Sequence, residues 1–266
     1  MLPRHPTEVD RLDVQHYALR AALNGNYLAP IGQPSSILDV GSGSGQWGYE
    51  LAAQYPEALA VGLDLVPGKP GAPANFRMIR ANLLHGLPFA DASFDFVHMR
   101  LLTAGIPVQA YPAVIRGLLR VTRPGGWVEL VEARTYFEPE GPATKRVYDV
   151  LRPLALQAGF DTGGIVHQHL KQYLVLAGAE AAQDRVVEMP LGEWGGQIGS
   201  WMHWDLRVLF GHMLDLLQTL SGLERAACSD MVAAMLEELE RLRSIVSVRI
   251  AFGRRAVVTG QLALTR

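Results

Sequence analysis

Apolar positions along the chain switch repeatedly between a period near 3.6 and short continuous runs, which predicts helices alternating with buried strands. Residues 7–23 place Leu12, His16, Leu19 and Leu23 at helical spacing, so an N-terminal helical segment is expected within residues 1–30. Ser36–Val40 (SILDV) is a short apolar strand that runs straight into glycines. Gln46–Gln54 reads as a helix. Residues 58–64, Phe76–Arg80 and 94–98 read as three more strands. Residues 112–121 form a helix with Val114, Leu118 and Val121 on one face. The turn signal RPGG at 123–126 then feeds a fifth strand at 127–131.

Two further helical patterns follow, ending near Gly159 and Gly178. A sixth strand is expected at 185–189, helices at 198–220 and 224–243, and a last strand at 246–252. Strands alternating with helices imply a doubly wound, mostly parallel seven-stranded α/β sheet with helices on both faces. Two departures stand out. The segment VPGKPGAPAN after the second strand is too rich in proline and glycine for a crossover helix. Residues 191–244 look like a helical cap inserted before the last strand.

The chain has 266 residues, 49% of them hydrophobic, enough for one large core, so residues 1–266 are expected to form a single domain. The net charge of −2 and the lack of a basic stripe give no reason to expect nucleic acid as a partner. Nothing resembles a secretory signal or a membrane span, so a cytoplasmic protein with no membrane partner is expected. Cys228 is the single cysteine, which rules out an intrachain disulfide. The eight histidines lack H-E-x-x-H spacing, and His167-x-His169 has no acidic residues nearby in sequence, so no metal is expected.

The main chemical signal is Asp39-Val-Gly-Ser-Gly-Ser-Gly45, between a strand and a helix. Glycines there let the backbone turn tightly and come close to a ligand, and the next helix presents free N–H groups. Gly43-Ser-Gly-Gln-Trp-Gly48 also fits the G-x-G-x-x-G dinucleotide pattern, and Asp64 stands where a ribose-binding acid belongs. The register disfavours a dinucleotide. Counted from Gly41, which ends the strand, the third position is Gln46 instead of glycine.

Asp39-x-Gly-x-Gly-x-Gly resembles motif I of class I S-adenosylmethionine-dependent methyltransferases, which have a Rossmann-like fold. The likeness continues in Leu63-Asp64-Leu65, in Asn82-Leu83-Leu84 with Gly86-Leu-Pro-Phe89, in Ser93-Phe-Asp-Phe-Val-His98, and in the stretch from Leu118 to Leu130. Arg11-Leu-Asp-Val-Gln-His16, Val97-His-Met-Arg100 and Gly126-Trp-Val-Glu129 further resemble the LaeA-like methyltransferases linked to fungal secondary metabolism. The resemblance implies S-adenosylmethionine as cofactor, held by Asp39, Gly41, Ser42, Gly43, Gly45, Asp64, Leu65, Asn82, Leu83, Met99 and Arg100. Asp64 would accept from the ribose hydroxyls, Asn82 would meet the adenine amine, and Leu83 would pack on the ring.

Methyl transfer from a sulfonium is an in-line displacement that needs alignment and exclusion of water more than a catalytic triad. His98, at the end of the fourth strand, is the candidate general base. His16, Tyr17, Trp201 and Trp204 are candidate substrate contacts. Leu206, Leu209, Phe210, Met213, Leu217 and Leu220 form an apolar stripe, and more apolar side chains stand beside it. An apolar acceptor pocket is therefore expected between the cap and the strand ends. The acceptor is expected to be a small molecule methylated on oxygen or carbon, and the protein a monomer or homodimer. A cofactor-binding protein without methyl transfer is the alternative, and a nucleotide-dependent oxidoreductase a third reading.

Overall fold

The computed structural model describes residues 6–66 and 68–257. Seven strands form one sheet in the order β3-β2-β1-β4-β5-β7-β6. The strands are β1 (Ser36–Val40), β2 (Leu59–Asp64), β3 (Phe76–Arg80), β4 (Phe94–Arg100), β5 (Thr122–Ala133), β6 (Ala179–Pro190) and β7 (Ile245–Arg255). The first five pair in parallel, and β7 runs antiparallel to both β5 and β6. The order reverses between β1 and β4, which leaves a crevice outside their carboxyl ends.

The helices are α1 (Pro6–Leu23), α2 (Gln46–Gln54), α3 (Tyr111–Val121), α4 (Pro142–Gln157), α5 (Ile165–Leu176), α6 (Gly196–His212), α7 (Leu214–Ser221) and α8 (Arg225–Leu242). Alternation along the strands divides the core between two faces. Ile37, Ala60 and Phe96 pack with Trp47 and Leu51 of α2. Leu38, Val61, Val97 and Met99 pack with Ile115 and Leu118 of α3 and Val166 and Leu170 of α5. Among the described residues, no helix joins β2 to β3, in keeping with the prolines of that segment. Among the described residues, no helix is long and apolar enough to cross a membrane.

Three elements differ from the sequence expectation. The RPGG segment is part of β5 rather than a separate turn. Gly125 takes φ +83° and the β4–β5 register shifts between Phe94 and Phe96, so a bulge absorbs the turn residues. β6 begins at Ala179, six residues before the expected start at Arg185, because pairing with β7 continues through a polar edge with little apolar pattern. The long helix at 198–220 is two helices, broken at Met213 (φ −91°, ψ 0°). The cap is also larger than 191–244, since α4 packs against α7 and α8. The tail from residue 258 lies outside the described residues.

Candidate cofactor cleft and acceptor cavity

The strand β1 is buried throughout and delivers the chain into the glycine loop at the crevice. Gly41 and Ser42 donate their N–H groups to the Leu63 carbonyl, at 2.8 and 3.1 Å. Gly41, Gly43 and Gly45 all take positive φ (+72°, +55° and +88°), a region costly for residues with a Cβ. A Cβ at Gly41 would meet the Leu102 side chain at 2.7 Å. Asp64 closes β2 with one oxygen accepting from Gly43 N (2.9 Å) and the other from Val66 N (3.1 Å). Each carboxylate oxygen keeps a lone pair free, so a vicinal diol can still be accepted. Two leucines at the neighbouring strand ends, Leu65 and Leu84, are exposed, which offers an apolar surface to a flat ring. Asn82 caps the turn after β3, its side-chain oxygen accepting from Leu84 N at 3.0 Å.

The cleft has a roof. Leu12 of α1 sits over Gly43, and Leu102 sits over Gly41. Asp13 accepts from Ser44 Oγ at 2.6 Å and pairs with Lys69, which also donates to Gln46 Oε1 at 2.6 Å. Lys69 N donates to the Ser44 carbonyl, so the proline-rich segment is tied directly to the glycine loop. Asp13, Lys69 and Leu102 were not singled out by sequence reasoning. Lys69 alone had a visible signal, as the one charged residue in that segment.

His98 does not face the cleft as a base would. Its ring is fully buried and stacks on Trp47 at 3.9 Å with planes 7° apart. Its Nδ1 lies 3.2 Å from Asp39 Oδ1, and its Nε2 lies 4.0 Å from Glu129. Burial lowers the His98 pKa, and the bond to Asp39 opposes this. The geometry gives His98 the work of fixing Asp39 beneath the glycine loop. Met99 points the other way, into the core against α3.

His16 is buried and accepts from Arg100 Nη1 through Nδ1 at 3.1 Å. Desolvation and the neighbouring guanidinium lower its pKa to about 4. Tyr17 packs edge-on against His16 and beneath Arg20. Trp201 packs on the cap core and Trp204 is partly exposed. None of His16, Tyr17, Trp201 and Trp204 lines the large cavity described next.

That cavity, of about 620 Å³, lies between the cap and the ends of β4 and β5. Leu206, Leu209, Phe210 and Met213 of the expected stripe form one wall, and Tyr148 and Leu151 of α4 another. Leu101, Thr103 and Ala104 close the side toward the glycine loop. Leu102, between them, packs on Gly41, so a single segment touches both sites. Glu132 anchors this segment. It is fully buried and accepts from Leu102 N (3.1 Å), Thr103 N (3.3 Å) and Tyr111 Oη (3.0 Å). Burial pushes its pKa up to about 8, against the pull of those donors. Glu129 on the opposite face is likewise raised by burial, to about 7, and accepts from Leu28 N and Ala29 N.

Comparison with known proteins agrees with this geometry. Residues 37–126 match the family model described as a methyltransferase domain. The chain is 35% identical over 190 residues to methyltransferase str2 of Strobilurus tenacellus, covering 68% of this chain and 66% of that protein. It is 31% identical over 215 residues to the secondary metabolism regulator laeA of Aspergillus fumigatus, covering 73% of this chain and 54% of that protein. The chain thus spans between about half and two thirds of the length of these relatives. The fold resembles a Haemonchus contortus phosphoethanolamine N-methyltransferase 2 solved with phosphomonomethylethanolamine and S-adenosylhomocysteine. The TM-score is 0.56 at 13% identity, covering 95% of this chain and 59% of that one. The strand order, the glycine loop with its acid at the end of β2, and these likenesses together make the chain a member of the class I S-adenosylmethionine-dependent methyltransferase family.

Proposed function

We propose that this protein transfers a methyl group from S-adenosylmethionine to an apolar small molecule held between the cap and the sheet. The observation that carries the reading is the 101–104 segment, which has Leu102 on the glycine loop and Leu101, Thr103 and Ala104 on the cavity wall. When bound, the cofactor supplies an electrophilic methyl group on a sulfonium. Gly41, Ser42, Gly43 and Gly45 would shape its bed, Asp64 would receive the ribose hydroxyls, and Leu65, Asn82 and the exposed Leu84 would take the adenine side, with Leu83, packed against the core, behind them. Asp39 and Arg100 support the bed from beneath, held by His98 and His16. Leu12, Asp13 and Lys69 must part to admit the cofactor, and their return excludes water. The cavity walls then align the acceptor atom with the methyl group, which accounts for most of what this reaction asks of a protein.

Oxygen or carbon is favoured as the acceptor atom. The end of β4 reads His98-Met-Arg100, without the Asn/Asp-Pro-Pro-aromatic pattern of amine-methylating nucleic-acid enzymes. The test is transfer of label from methyl-labelled S-adenosylmethionine into an organic-solvent extract of cells. Label should appear in an apolar extractable product. Binding of cofactor with no label in any oxygen, nitrogen, carbon or thiol acceptor would favour a cofactor-binding protein that transfers nothing.

A further inference from the structure

The cavity is apolar over most of its wall, so each polar group it carries bears on what it selects. Most of these groups are already engaged. The Asp161 oxygens accept from Gly163 N (2.9 Å) and Val166 N (2.8 Å), which ties down the loop before α5. Arg134 Nη1 is paired with Glu138, while Arg134 Nε and Thr135 Oγ1 are buried without a partner among the described residues. Two lining residues on opposing helices behave differently. Asp205 of α6 is buried, with Oδ1 accepting from Arg11 Nη1 at 2.6 Å. Gln15 of α1 donates from Nε2 to Asp205 Oδ2 at 3.3 Å.

That bond fixes the orientation of the Gln15 amide. A carboxylate accepts only, so the amide must turn its N–H₂ toward Asp205 and its carbonyl oxygen away. The Gln15 carbonyl oxygen has no partner among the described residues. The Asp205 carboxylate has lone pairs beyond the two it uses. On this pair, facing across α1 and α6, both open groups are acceptors. Arg11 directs its Nε, Nη1 and Nη2 donors to Glu8 and Asp205 and is not among the residues that line the cavity.

From this we infer that Gln15 and Asp205 form the specificity handle of the cavity, and that the acceptor is an apolar molecule bearing a neutral hydroxyl that donates to this pair. The inference rests on the reading of the cavity as the acceptor site. Gln15 and Asp205 are positioning residues here, and no proton transfer to them is required. A methyl ether of the same molecule can only accept, so it would leave the buried Asp205 and the part-buried Gln15 carbonyl, both acceptors, facing its oxygen.

The test is calorimetric titration of the full chain, in the presence of S-adenosylhomocysteine, with 4-phenylphenol, 4-methoxybiphenyl and 4-phenylbenzylamine. The phenol should bind at least about tenfold more tightly than its methyl ether, the discrimination that one unmet hydrogen bond produces. Gln15→Leu should reduce the phenol-to-ether preference to about threefold or less, with S-adenosylhomocysteine affinity unchanged as the control for folding. Asp205→Asn gives a second variant that keeps the shape and removes the charge, and it too should narrow the preference. Equal affinity for phenol and ether in the unmodified chain would overturn the handle while leaving the cavity as an apolar site. Tighter binding of the amine would also overturn it. Failure of all three molecules to bind would overturn the acceptor-cavity reading itself.

Discussion

The cofactor cleft is set by backbone geometry in the five residues from Gly41 to Gly45 and a carboxylate at the neighbouring strand end. The acceptor cavity takes its walls from residues as far apart as Gln15, Leu101, Tyr148, Leu206 and Val248. In the cleft, residue identity is dictated: positive φ excludes side chains, and a diol needs a carboxylate. In the cavity, only volume and apolarity are dictated, and many side chains satisfy both. On the proposed reading, the difference teaches that the reaction class is fixed by the backbone geometry of one half and the substrate by the side-chain packing of the other. The two halves meet at α1 and at the 101–104 segment, and the predictions probe whether they can be moved separately.

The largest effect is expected where α1 joins the cap. Arg11 is buried between Glu8 and Asp205, so Arg11→Met leaves two buried carboxylates without the guanidinium. Denaturant unfolding should show a loss of about 3–5 kcal/mol, the cost of breaking a buried pair. A loss under about 1 kcal/mol, as for a surface pair, would mean the network does not hold the two halves together.

Next comes a change confined to the cofactor half. Gly41→Val places a β-branched side chain at φ +72° and against Leu102. S-adenosylhomocysteine affinity should fall by about a hundredfold, on the order of 2.7 kcal/mol. The reciprocal change is Leu209→Trp, which narrows the cavity. Methyl transfer should fall about tenfold, on the order of 1.4 kcal/mol, while cofactor affinity stays unchanged. If either variant disturbed both functions equally, the halves would not be separable.

The smallest expected effect is on pH dependence. Glu132 and Glu129 are raised to about 8 and about 7 by burial, so their stabilising contribution is complete in the acid range and lost as pH rises through those values. His16 and His167 are lowered to about 4, chiefly by burial. Their contribution is present above their ordinary value and lost as pH falls toward 4. The opposed trends cancel below about pH 6.5, and above it the carboxyl groups act alone. Unfolding free energy should therefore drop between pH 6.5 and 8, by on the order of 1 kcal/mol. Glu132→Gln should flatten that drop, and an unchanged slope would remove Glu132 as its source.

The contrast between the halves also explains what could be read from the sequence. The strands from Ser36 to Val131 were legible because each is a short apolar run bounded by turn residues. The glycine loop was legible because three alternating glycines straight after a strand mark a backbone that must turn tightly beside a ligand. The apolar stripe of α6 announced a cavity, since it exceeded what one packing partner covers. The role of His98 was not legible, because nothing in the local sequence places Trp47 face to face with its ring. Nor was the α4 wall, the roof residue Leu102, or the Gln15–Asp205 pair. Each depends on contacts between elements distant in sequence, which a periodic pattern does not encode. The break at Met213 was marked only by Gly211 two residues before it, and a lone glycine inside an apolar helical pattern does not by itself end a helix.

The central claim is that an adenosine sugar rests on Asp64 beside the glycine loop, and calorimetry on the unmodified chain and Asp64→Ala tests it most directly. S-adenosylhomocysteine should bind the unmodified chain, NAD should not, and the variant should bind the former at least about tenfold more weakly, a loss of about 1.4 kcal/mol. Binding of NAD in place of S-adenosylhomocysteine, or equal affinity in the variant, would contradict the account.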